Sequence, residues 1–177
     1  MNRKLKLWEL DRVSEAEFRE QEKFPILVIL NDIRSLSNIG SFFRTADAFN
    51  VEKIFLCGIT ATPPHREIQK TALGATESMA WEHRNSILEL VTELQAQGIL
   101  VASIEQAEKT TFLQHVPQLP KQKIALVFGN EVDGVDQAVI DRSDYILEIP
   151  QFGTKHSLNV SVCAGVVLWE FCKGFMD

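Results

Sequence analysis

Three polar clusters interrupt an otherwise apolar sequence, and their residue types can bind ligands or stabilise charge. The first is Asn38-Ile39-Gly40-Ser41-Phe42-Phe43-Arg44-Thr45-Ala46-Asp47-Ala48-Phe49. On a helical wheel Phe42, Phe43, Ala46 and Phe49 share one face, and Arg44 points nearly opposite. Asn38 and Gly40 then lie in the turn that opens the helix. A guanidinium offers a planar, permanently charged fork suited to phosphate, yet Arg44 taken alone reads as a solvated surface arginine.

The second cluster, Leu126-Val127-Phe128-Gly129-Asn130-Glu131-Val132-Asp133-Gly134, is an apolar strand emptying into a Gly-bounded acidic loop. In open α/β sheets, ligands bind in the crevice beyond the carboxyl ends of the strands. Gly129 would let a ligand approach backbone amides, and Gly134 would permit a tight return. A plain strand–turn–helix connection has the same look. The third cluster runs Ile149-Pro150-Gln151-Phe152-Gly153-Thr154-Lys155-His156-Ser157-Leu158-Asn159-Val160-Ser161-Val162. Here a strand ends at a proline and a polar loop follows. Ser157-Leu158-Asn159 then opens an apolar helix, where Ser157 suits an N-cap. Asn159 in the first turn of such a helix needs partners for its amide, from the protein or from a ligand. The chain contains neither G-x-G-x-x-G nor a Walker A loop, so the usual dinucleotide and P-loop chemistries are not signalled.

The elements that must position these clusters alternate. Ile26–Leu30, Lys53–Ile59, Ile99–Ile104, Lys123–Phe128 and Tyr145–Ile149 read as strands, most of them continuously apolar. Continuous strands separated by helical segments indicate a mostly parallel sheet with helices on both faces. Ser14 and Glu17 form a capping box for an N-terminal helix, with Val13 and Phe18 placed as a hydrophobic staple, and Pro25 ends that segment. Asn85 is positioned to cap a helix carrying Ile87, Leu90, Val91 and Leu94 inward, with Gly98 just past its end. The last helix, about Ser157 to Phe175, is apolar all round, and a partner subunit is the economical cover for the side that the sheet leaves bare.

A chain of 177 residues suits one domain. Its net charge of −6 argues mildly against a surface that coats nucleic acid, while leaving room for a local basic patch. No apolar run reaches membrane-spanning length and no signal-peptide h-region follows the basic start, so the expected address is the cytoplasm. Cys163 and Cys172, nine residues apart on one helix, fall on opposite faces and cannot pair. Without C-x-x-C or zinc-like spacing of His65, His83, His115 and His156, no metal is expected.

Taken in order, Asn38-x-Gly40-x-x-x-Arg44-Thr45-Ala46, Gly129-Asn130-Glu131-x-x-Gly134, and Ile149-Pro150 through Ser157-Leu158-Asn159-Val160-Ser161 closely resemble the three motifs of the SpoU (TrmH-like) branch of the SPOUT RNA methyltransferases. The likeness covers roughly Phe24 to Cys172. It implies one SPOUT domain over residues 1–177, with 1–24 as an N-terminal helical extension and no separate RNA-binding domain. It further implies a six-stranded α/β fold whose C-terminal segment makes a deep trefoil knot, an obligate homodimer, and S-adenosylmethionine as cofactor.

By position in the motifs, the resemblance puts the cofactor against Ile104, Gly129, Asn130, Ile149, Gln151, Ser157 and Leu158. It places Asn38, Arg44, Glu131, Ser157 and Asn159 in the active site. The implied reaction is methyl transfer to a ribose 2′-hydroxyl of tRNA or rRNA. A guanidinium does not readily give up its proton, so Arg44 is better read as the cation that gathers phosphate and hydroxyl and stabilises the oxyanion than as a base. Asn38, Ser157 and Asn159 would orient ribose, cofactor and Arg44, with Glu131 fixing Arg44 or Asn38. Two alternatives stay open: a SAM- or nucleotide-binding module without catalysis, and a methyltransferase with a non-RNA acceptor.

Overall fold

Strands that are apolar at every position can only be accommodated where both faces of a sheet are covered, and that is where this chain places them. The computed structural model describes residues 2–118 and 122–176. Its strands are β1 (Phe24–Asn31), β2 (Val51–Cys57), β3 (Trp81–Arg84), β4 (Leu100–Ile104), β5 (Thr111–Phe112), β6 (Ile124–Phe128) and β7 (Tyr145–Glu148). They form one sheet in the order β3-β2-β1-β6-β4-β7-β5, with every neighbouring pair parallel. That is one strand more than the resemblance implies. The strands that the sequence does not announce, β3 and β5, are the two edges. Trp81-Glu82-His83-Arg84 carries no fully buried residue and β5 is two residues long, so neither has the apolar signature of a central strand.

The helices are α1 (Glu15–Glu20), α2 (Leu36–Ala48), α3 (Arg66–Ala72), α4 (Ala75–Ser78), α5 (Ile87–Ala96), α6 (Gln137–Ile140) and α7 (Val160–Cys172). Alternate residues of β1 feed two cores. Ile26, Val28 and Leu30 pack with Ile39, Phe42, Phe43, Val167 and Leu168, which come from α2 and α7. Leu27 and Ile29 pack with Leu90, Val91, Leu94 and Val139, which come from α5 and α6. Phe42 is fully buried and meets Phe128 edge-on at 5.1 Å between ring centroids, so truncating it to alanine should cost about 3–5 kcal/mol.

Caps follow the sequence with some corrections. Ser14 and Glu17 form the expected capping box. Phe18 is buried but Val13 is 55% exposed, so the expected staple buries only one of its two side chains. α5 is capped by Ser86 rather than Asn85, with the Ser86 hydroxyl accepting from Glu89 N. Ser157 is likewise displaced as a cap, because α7 begins later and takes Asn159 as its N-cap. The terminal helix also divides its apolar residues: Ala164, Val167, Leu168 and Cys172 are buried, whereas Val162, Val166 and Trp169 are 55%, 41% and 54% exposed. Spacings of four and three residues put those three on one outward stripe. Among the described residues no helix is long and apolar enough to cross a membrane.

Gly40 explains itself through packing. A Cβ there would stand 2.2 Å from the Ile68 carbonyl oxygen, so α2 and α3 approach more closely than any side chain at position 40 would allow.

Candidate active site

The register of the central strands sets the site. Leu30 pairs with Phe128, and Phe128 with Ile104, so β1, β6 and β4 end level and release their next residues at one edge. There a cavity of about 470 Å³ opens. Of the residues named from the sequence, Ile104, Gly129, Asn130, Glu131, Ile149, Gln151, Ser157, Leu158 and Asn159 all line it. They come from the end of β4 and from the connections after β6 and after β7.

The loop after β6 is shaped by its glycines and by Asn130. A Cβ on Gly129 would lie 2.0 Å from the Gly134 carbonyl carbon, and Gly134 has φ of +72°, a conformation that disfavours side chains. Asn130 is buried, and its Oδ1 accepts from Val132 N and Asp133 N, each at 2.9 Å. That loop therefore turns tightly enough to send Glu131 across to the start of α2. The Glu131 carboxylate accepts from Arg34 N and Ser35 N at 3.2 Å each and from Asn38 Nδ2 at 2.9 Å. Burial opposes its ionisation, but the bonds from Asn38 and the backbone amides prevail, and its pKa lies below the ordinary 4.5. Asn38 Oδ1 accepts in turn from Asn159 Nδ2 at 3.2 Å. Asn159 Oδ1 caps α7 by accepting from Ser161 N and Val162 N. One continuous chain of side-chain bonds thus joins all three sequence clusters at the rim of the cavity.

Three of the expected site residues stand differently. Asn38 does not line the cavity itself and reaches it only through its bonds to Glu131 and Asn159, which do. Ser157 lines the cavity but is exposed at the end of the β7–α7 loop. Arg44 does not line it. It projects from α2 into a second cavity of about 500 Å³, shared with Arg12, Ser14, Phe18, Asp47 and Ser78. Six residues separate Arg44 from Asn38, about 9 Å along the helix and on another face. It is exposed, in keeping with its place opposite the buried Phe42 and Phe43.

Sequence reasoning missed Glu105, Asp133, Glu148 and Cys163, all of which line the first cavity. Glu105 directly follows Ile104 at a strand's carboxyl end, which was the available signal. Its carboxylate accepts from Gln106 N at 2.9 Å and Val135 N at 3.0 Å, tying β4 to the β6 loop. With Glu131, these carboxylates make the charged part of the lining acidic. Cys163, on an apolar helix, reads from sequence as an ordinary core residue. It is half-buried at the cavity wall, and burial, helped by Glu105, raises its thiol to about 12, so it is protonated and a poor nucleophile at neutral pH. Among the described residues no group of three or more His, Cys, Asp or Glu could hold a metal ion.

Comparison with known proteins agrees with the motif order. Residues 25–169 match the SpoU rRNA Methylase family. The chain is 34% identical over 146 residues to the 23S rRNA (guanosine-2′-O-)-methyltransferase RlmB of Neisseria meningitidis, covering 82% of this chain and 57% of that protein. It spans less than two thirds of the length of this and the other curated relatives it matches. Among solved structures it superposes with TM-score 0.80 on the A. aeolicus TrmH/SpoU tRNA modifying enzyme, at 21% identity, covering 90% of this chain and 79% of that one. The AdoMet-bound rRNA methyltransferase of Sinorhizobium meliloti gives 0.81 at 24% identity, covering 90% and 61%.

Proposed function

Because the chain belongs to the SpoU rRNA methylase family, we propose that it transfers the methyl group of S-adenosylmethionine to a ribose 2′-hydroxyl of RNA. The observation that carries this reading is the bonded series Glu131–Asn38–Asn159, which brings the three motifs to the edge of one ligand-sized cavity.

The residues present fit the cofactor. Ile104, Phe128, Leu147, Ile149 and Leu158 supply apolar wall for an adenine ring, and Gly129 leaves backbone exposed where a Cβ would close the loop. Glu105, Glu131, Asp133 and Glu148 complement the positive charge of the sulfonium form. S-adenosylmethionine, when bound, supplies a methyl group already activated for displacement. The protein's work is then to orient the acceptor hydroxyl and to stabilise its developing negative charge. Asn38 and Asn159 are held in place for that by Glu131 and by the cap of α7. Cys163, kept as a thiol, does not compete for the methyl group.

Arg44 is the cation of this mechanism, and it shares no wall with the cavity of its own chain. A homodimer resolves the separation. The outward stripe Val162, Val166 and Trp169 on α7 supports such a dimer, and α7 packs against α2, which carries Arg44. In this reading Arg44 of one copy serves the cavity of the other. Residues 1–24 form an extension on a single methyltransferase domain, the segment after β7 passes through a loop to make a trefoil knot, and the enzyme works in the cytoplasm.

The reading is tested by incubating the protein with methyl-labelled S-adenosylmethionine and separate tRNA, rRNA and protein fractions. Label is expected in RNA, in dinucleotides that resist alkaline hydrolysis because the 2′-oxygen is blocked. Label in protein alone, or in alkali-labile nucleotides, would overturn it.

A further inference from the structure

The loop between β7 and α7 carries the most exposed large apolar side chain of the described residues, Phe152, at 97%. Its neighbours make that exposure pointed. Ile149 and Gln151 before it, and His156, Ser157 and Leu158 after it, line the cavity proposed for the cofactor. The far end of the loop is pinned where Gln106 Nε2 donates to the His156 carbonyl at 2.9 Å. Phe152 therefore stands at the mouth of the site on a segment whose two ends are fixed.

Charge distinguishes this loop from the wall beside it. The cavity's carboxylates, Glu105, Glu131, Asp133 and Glu148, repel a polyanion, whereas Lys155 and His156 are exposed on the loop itself. Next to Phe152 the loop is otherwise polar or bare: Gly153, Thr154 and Lys155 provide no contiguous apolar patch of the kind a protein partner covers. An isolated aromatic face next to cations is instead the pattern that receives unpaired nucleotides, because every base has a π-face and every nucleotide a phosphate.

We propose that Phe152 is a stacking platform for an unpaired RNA base beside the nucleotide to be methylated, with Lys155 taking an adjacent phosphate. This rests on the methyl-transfer reading above and names the residue that presents single-stranded RNA to the site. A ribose hydroxyl reaches a recessed methyl donor only when its nucleotide is drawn out of a helix, and a base stacked on Phe152 replaces part of the stacking that is lost.

The test uses the full chain with S-adenosylhomocysteine present. Fluorescence anisotropy follows a labelled single-stranded oligoriboadenylate, with a duplex of equal charge as control. Phe152→Ala should weaken single-strand binding by about tenfold or more and leave the duplex unchanged. Phe152→Trp should retain binding, and its fluorescence should fall as bases stack. Lys155→Ala should flatten the salt dependence for both nucleic acids. Single-strand affinity unchanged in Phe152→Ala overturns the proposal, as does a variant that dissociates into monomers, which would make Phe152 an interface residue. If wild type methylates RNA while Phe152→Ala binds as well as it, only the stacking role falls. If wild type neither binds nor methylates RNA, both readings fall.

Discussion

Asn159 donates its amide to Asn38 across 121 positions of sequence, and the direction of that bond is fixed from outside the pair. An ionised carboxylate only accepts, so Glu131 requires the Asn38 NH₂ to face it. Asn38 must then present its carbonyl oxygen to Asn159. The Asn159 oxygen is in turn committed to the α7 amides, leaving its NH₂ for Asn38. No amide in the series can flip without breaking a bond at each end.

That directionality separates stability from activity at Asn159. Asn159→Asp keeps an acceptor at the helix N-terminus, where a negative charge is favourable, so thermal stability should stay near wild type. It removes the donor to Asn38 and sets a carboxylate against the Asn38 oxygen. Methyl transfer should fall by roughly tenfold or more while calorimetric unfolding barely moves. Asn159→Ala removes the cap as well and should cost about 1 kcal/mol of stability. Equal activity in Asn159→Asp and wild type would show that the Asn38 contact is dispensable.

Glu131 gives the series a pH dependence. Its folded-state pKa lies below the ordinary 4.5, so its contribution to stability is present above that value and is lost as the pH falls through the folded one. Glu131→Gln replaces one acceptor oxygen by a donor facing amides that also donate. Urea unfolding at pH 7 should show a loss of about 1–2 kcal/mol, and the difference between wild type and variant should shrink as the pH is lowered below 4.5. A gap that is constant across this range would assign the effect to packing.

The site residues that could be read from sequence are those whose chemistry survives without partners. Gly129 and Gly134 imply a tight loop, and the level ends of β1, β6 and β4 follow from a parallel sheet. Asn159 was flagged because a polar amide in an apolar helix needs explaining. Ser157 misled as a cap because Ser and Asn are equally good N-caps, and only tertiary packing decides which is used. Glu105 and Glu148 were passed over because a carboxylate after a strand looks like any solvated one until the neighbouring loop closes on it. Arg44 looks like a surface residue within one chain, and it is one there, lining a separate cavity, so neither periodicity nor the single chain assigns it a role.

The outward stripe on α7 gives the proposed dimer a direct test at half-exposed positions. Val166 and Trp169 are both exposed in the single chain, so a charge there meets water unless a partner covers it. If the stripe is a dimer interface, wild type should sediment as a dimer at micromolar concentration and Val166→Glu and Trp169→Glu as folded monomers, with circular dichroism unchanged. Dimers persisting in both variants would move the interface elsewhere.

Arg44 decides the enzymatic reading. It contributes nothing to the buried face of α2, so Arg44→Ala should fold normally and bind S-adenosylmethionine as wild type does, because the two cavities share no residue. If its charge stabilises the oxyanion, turnover should drop by roughly 10²-fold, and Arg44→Lys should not restore it, since a point ammonium cannot reproduce the planar fork. Its position outside its own chain's cavity adds a sharper test. Co-expressing Arg44→Ala with Asn159→Asp under separate tags yields mixed dimers in which one cavity has an intact Asn159 and faces an intact Arg44. If Arg44 acts across the dimer, the co-expressed pool should regain about a quarter of wild-type activity, since half the dimers are mixed and each has one complete site. If Arg44 acts within its own chain, every site in the mixed dimers lacks one group and the pool should be as inactive as the parents. Activity confined to purified mixed dimers would place the reacting ribose between two copies. Its absence, with dimers intact, would require α2 to move within the chain before Arg44 could reach the acceptor.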